Sequence, residues 1–218
     1  ARASLTLMAG GAAAQLGPLL IGPWLTRLYS PEVFGAYHLA AAVAANVAVV
    51  ACARYEFALP LARSEFEVQA LRNLCLRMLG GVTLLTLFAS LAWSLWVGVL
   101  WPLAVPLTVF ALALLSLATL DATRLQRTQA LALSRVAQHW GGSLLQALLG
   151  LLQVGVWGLL FGPILGALAG LAALATLALR RAPIPTTAST ASTESWRDVA
   201  RRHADFPRLD RKSTRLKS

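Results

Sequence analysis

"SLLQALLGLLQVGVWGLLFGPILGALAGLAALATLAL", residues 143 to 179, carries no charged side chain. As one helix its roughly 37 residues would measure about 55 Å at 1.5 Å each, against a hydrocarbon core of about 30 Å, so the run holds two crossings. Gly162-Pro163 suits the start of the second crossing, because proline fits a first helical turn, and Gly155 to Phe161 then form the turn. Outward from this run the same reasoning places six spans, at about 4–25, 34–53, 78–100, 107–120, 141–157 and 162–180.

Composition agrees. The chain has 218 residues, of which 57% are apolar and 13% charged, and its mean hydropathy is +0.65. That balance excludes an ordinary soluble domain. Apolarity that is continuous rather than alternating excludes a β-barrel. The expected fold is an all-α integral membrane protein, a bundle of six transmembrane helices over residues 1–181.

Local signals mark the element ends. In "TRLYSPEVFG" (26–35), Ser30 suits an N-cap, Pro31 the first helical position and Glu32 the positive end of the helix dipole. Pro102 and Pro106 bracket a charge-free turn before the fourth span. Ser64-Glu65-Phe66-Glu67 has capping-box spacing, and Val68, Leu71, Cys75 and Met78 follow at helical steps, so the third helix begins before its span. Residues 182–193, "APIPTTASTAST", read as a linker, and 194–210 as a short amphipathic basic helix on the membrane surface. The basic, patternless residues 211–218 resemble a non-native tail.

Of the 19 Lys and Arg residues, all but Arg27 fall on one side of this map. By the positive-inside rule both ends of the chain are cytoplasmic, and the net charge of +10 reflects topology instead of nucleic-acid binding. Trp24, Trp101 and Trp157 at one boundary and Trp140 at the other read as an aromatic belt. Cys52 and Cys75 are expected as free thiols. On a continuous helical wheel Arg124 and Arg135 share a face, with Arg127 close by, which gives a basic flank at the cytoplasmic mouth.

Residues suited to catalysis are sparse. The sequence has no phosphate loop, dinucleotide fingerprint, nucleophile elbow or paired metal-ligand spacing, and His38, His139 and His203 stand far apart. No enzyme activity, cofactor or metal is expected. Polar groups inside the spans carry more information, since in lipid each needs a partner or water. Gln15 and Asn46 are expected at similar depth, either bonded to each other across a hairpin or lining a pathway. Gln146 and Gln153 carry the same two readings. His38 lies one turn inside the membrane boundary, and Asp121 is expected to pair with Arg124. Gly158, Gly162, Gly166 and Gly170 give the sixth span a smooth face for close helix packing, and Pro18 and Pro23 bend the first.

Four segments carry a family resemblance: "GPWLTRLYSPEVFGAY" (22–37), "RYEFALPLA" (54–62), "GLLFGPILG" (158–166) and "ADFP" (204–207). In order and spacing they resemble the polysaccharide biosynthesis proteins of the oligosaccharide flippase type, within the multidrug/oligosaccharidyl-lipid/polysaccharide exporter superfamily. The first two are the specific ones. The resemblance implies a bacterial inner-membrane transporter that moves polyprenyl-pyrophosphate-linked oligosaccharide outward, for O-antigen, capsule or exopolysaccharide assembly. It also implies two six-helix bundles around an aqueous cavity, of which this sequence matches the first. A missing second bundle is thus an expected partner, besides membrane lipids and the lipid-linked cargo, with no nucleic acid. Arg27, Arg54 and Arg124 are placed to meet a pyrophosphate, with Gln15, Asn46, His38 and Glu56 as further pathway candidates. The alternatives are a related exporter of drugs or another lipid precursor, or an integral-membrane glycosyltransferase or polymerase of the same pathway.

Overall fold

A computed structural model describes residues 2–52, 55 and 65–180. Six helices account for nearly all of them: α1 (Arg2–Leu28), α2 (Pro31–Val50), α3 (Glu65–Val97), α4 (Ala104–Arg124), α5 (Thr128–Leu151) and α6 (Val156–Arg180). A single 3₁₀ turn, Trp101–Leu103, leads into α4. Among the described residues there is no strand. The linker, the amphipathic C-terminal segment and the tail expected over 182–218 lie outside the described residues, as do Ser64, Arg54 and Glu56.

Five of the helices are long and apolar enough to cross a membrane: Leu5–Leu28, Pro31–Val50, Phe66–Val97, Trp101–Arg124 and Val156–Leu177. The chain is a multi-pass membrane protein by this measure. The sixth helix, α5, is long enough but too polar to join them, because Arg135, Gln138, His139 and Gln146 all fall within it.

The centre is built by α4 and α6, each half buried in its apolar window, whereas α1, α2 and α3 are largely exposed. Contact partners give the layout: α5 packs along α1 and α6, α4 along α6, and both α2 and α3 along α4. In α5 and α6, Gly142 faces Gly162 and Gly166, while Ser134 faces Gly170, a falling register that makes the pair antiparallel. Gly10 faces Ala132 and Gly17 faces Trp140, a rising register that makes α1 and α5 parallel. Cys52 and Cys75 are buried and not joined in a disulfide, in the cluster that joins α2, α3 and α4.

Several boundaries differ from the sequence reading, each for a local reason. The turn before α6 falls at Leu152 to Gly155, where Gln153 and Gly155 take positive φ of 54° and 70°. Gly162-Pro163 is therefore inside α6 and does not start it; the helices themselves begin at Thr128 and Val156. The expected continuous helix over 124–135 is broken at Gln126, whose φ of 50° is left-handed, and the Arg127 N–H closes the turn on Ala122 O at 3.0 Å. Arg124 and Arg135 thus belong to different helices, and the wheel that put them on one face does not apply. The Ser30 position is read correctly: its backbone is extended, and Pro31 follows at the first helical position, although its hydroxyl makes no capping bond.

Candidate functional site

The glutamine, asparagine and histidine candidates expected within the spans fall mainly into two regions. The first is a seam where α5 lies between α1 and α6. Pro163 has no N–H, so the carbonyl of Leu159, four residues earlier, loses its helical donor. Gln146 on α5 supplies one: its Nε2 donates to Leu159 O at 2.9 Å. The Tyr29 hydroxyl donates in turn to the Gln146 backbone carbonyl at 2.8 Å, which ties the α1–α2 link to the same point. Burial pushes the Tyr29 phenol up, so it stays protonated and donating.

A second side-chain bond reaches the α1 backbone, at a carbonyl next to the one a proline frees. Pro18 deprives Ala14 of its helical donor, and beside that break the Trp140 indole N–H donates to Ala13 O at 2.9 Å. Ser134 Oγ donates to Gly170 O at 2.9 Å and completes the seam. Backbones come close enough for these bonds because the α6 glycines face α5. A Cβ at Gly166 would stand 2.5 Å from Gln138 O, and one at Gly162 would collide with Gln146. Trp140, expected in an aromatic belt, thus has a specific bond to α1. Tyr29 was missed in the sequence; the signal that could have found this seam is the i, i+4 relation between Leu159 and Pro163.

The second region is the outer side of α1 and α2. Gln15 lies on the exposed side of α1, and His38 and Asn46 on the exposed side of α2. Gln15 and Asn46 do not bond to each other: Asn46 Nδ2 donates within its own helix, to Ala42 O at 2.8 Å. The two helices are joined near Tyr29, where Leu25, Tyr29 and Leu159 form a buried cluster against Val33, Phe34 and Tyr37. His38 stacks on Phe34 with ring centroids 5.9 Å apart, and Tyr37 is tilted against it at 5.1 Å. Arg27 is exposed in the last turn of α1, and among the described residues Glu32 does not pair with it.

Arg124 is half-buried at the end of α4, at the opposite end of the bundle from Arg27. Asp121 stands one turn before it, half-buried in the last turn of α4. Gln153, the other glutamine of span five, is exposed in the α5–α6 turn. Gln15, His38 and Asn46 are thus each exposed, on two helices that pack on different neighbours, α1 on α5 and α2 on α4 and α6. Among the described residues no three His, Cys, Asp or Glu side chains converge as a metal site would require.

No family model, curated protein or solved structure matches this chain.

Proposed function

We propose that this chain is the first bundle of a two-bundle flippase for polyprenyl-pyrophosphate-linked oligosaccharide in a bacterial inner membrane, serving O-antigen, capsule or exopolysaccharide assembly. The observation that carries the reading is three polar side chains, Gln15, His38 and Asn46, exposed within the α1 and α2 spans among apolar neighbours such as Leu16, Leu19, Leu39 and Val43, whereas the exposed side of α3 at the same depth presents Leu84, Leu85, Phe88, Leu91 and Leu95. Lipid cannot satisfy amide and imidazole groups, but a water-filled pathway can. The α3 side then faces lipid, and the α1–α2 side faces a cavity closed by a second bundle.

On this reading α5 also crosses, as the fifth of six spans, both ends of the chain are cytoplasmic, and the cycle is alternating access without a chemical step. A pyrophosphate passing through a low-dielectric pathway needs fixed cations, a role suited to Arg27 at one mouth and Arg54 and Arg124 at the other. The resemblance in residues 22–37 and 54–62 supplies the cargo class, and the exposed Gln15, His38 and Asn46 support a wet pathway.

Cysteine mapping tests the pathway directly. Gln15→Cys and Asn46→Cys are expected to react with a membrane-impermeant thiol reagent in intact membranes, and Leu85→Cys is not. Equal protection of all three would sink the reading. In cells, deleting the full-length gene should trap undecaprenyl-linked glycan on the cytoplasmic leaflet, and its absence there would exclude this cargo. Arg27→Ala should lower glycan flipping about tenfold, with Arg27→Lys retaining most of it if charge rather than fork geometry matters.

A further inference from the structure

At the Arg124 end of the bundle, α4, the α4–α5 turn and α6 line a half-open cavity of about 190 Å³, room for several waters. Two opposite charges line it, Asp121 from the last turn of α4 and Arg127 from the turn itself. Both are half-buried, and among the described residues neither pairs with the other. The rest of the wall is apolar, with Ala118 on α4 and Leu171, Leu174 and Ala175 on α6. The charges sit where the Trp101–Arg124 span ends, which is the depth of lipid headgroups, and the apolar wall continues from there along both spans.

A carboxylate and a guanidinium that share a cavity without closing on each other favour a ligand with a charge of each sign. A free ion satisfies one and leaves the other. We infer that this cavity is a binding site for a zwitterionic phospholipid of the phosphatidylethanolamine type. Its phosphate meets Arg127, its ammonium meets Asp121, and the start of one acyl chain lies along Leu171, Leu174 and Ala118. The ammonium of this headgroup has three N–H donors for the carboxylate, which a glycerol headgroup lacks. The site is independent of the cargo and of the α1–α2 side.

The test is lipid retention by the purified full chain, delipidated in detergent and read by native mass spectrometry. The probes are dioleoyl phosphatidylethanolamine, dioleoyl phosphatidylglycerol and free phosphoethanolamine. One phosphatidylethanolamine per chain should be retained about tenfold more strongly than phosphatidylglycerol. Asp121→Asn should erase that preference, and Arg127→Gln should weaken both lipids. Ala175→Phe, which fills the cavity from an exposed position and leaves both charges in place, should release the lipid while helicity by circular dichroism stays as in the wild type. Equal retention of the two lipids by the wild type would overturn the inference, as would retention indifferent to Asp121→Asn and Ala175→Phe. Binding of free phosphoethanolamine as strong as that of the lipid would overturn the lipid assignment.

Discussion

Gly166→Val is expected to separate α5 from α6. A Cβ at Gly166 meets the carbonyl oxygen of Gln138 at 2.5 Å and the Cα of Gly142 at 3.2 Å, and neither backbone atom can swing aside as a side-chain tip would. Overpacking commonly costs about 1–3 kcal/mol, and with a rigid neighbour the upper end applies. The α6 surface then stands off from α5, and the Ser134 bond to Gly170 O lengthens with it. Gly81→Val is the matched control, since nothing lies within 4 Å of a Cβ there. In a detergent-denaturation titration, Gly166→Val should unfold at markedly lower denaturant, while Gly81→Val stays within about 1 kcal/mol of the parent. Similar midpoints for the two variants would show that close backbone approach does not hold the pair together.

The second large effect lies at Gln146. Gln146→Leu keeps the apolar volume but removes the only side-chain donor seen at Leu159 O among the described residues. The expected loss is about 1–2 kcal/mol, near the top of the range for hydrogen bonds between membrane helices. The carbonyl it serves has no helical donor because Pro163 stands four residues on. Pro163→Ala returns that donor, so it should rescue Gln146→Leu, and the double variant should lie within about 0.5 kcal/mol of Pro163→Ala alone. Strictly additive losses in the same titration would mean that Gln146 contributes through packing and not through this bond.

The pair also marks where sequence reading stops. The apolar runs, the Ser30-Pro31 helix start and the early beginning of α3 are local properties, written in composition and spacing, and they locate most of the helices. Pro163 misleads for a non-local reason. Alone, Gly162-Pro163 reads as a helix start, and only a glutamine from another helix, 17 residues upstream, makes a mid-helix proline tolerable. The true turn rests on left-handed conformations at Gln153 and Gly155, and glutamine gives little advance sign of one. Gln126 broke the basic helix over 124–135 in the same unannounced way.

Of the pathway candidates, the exposure of Gln15, His38 and Asn46 was not legible at all. Periodicity on an almost wholly apolar helix does not say which side meets its neighbours, because lipid and protein interior select the same side chains. The facing directions of α1 and α2 follow instead from Gly10 and Gly17 against α5, and from the alanines at 40, 44 and 48 against their neighbours.

The polarity of α5 bears finally on how the protein is made. A segment with Arg135, Gln138, His139 and Gln146 gains too little from hydrocarbon to leave the translocation channel by itself. Its Ser134 and Gln146 side chains bond to α6, which is synthesised next, and its Trp140 to α1, which is synthesised first. If α5 crosses as the proposed function has it, its insertion is expected to wait for α6, with the two entering the bilayer as a hairpin against α1.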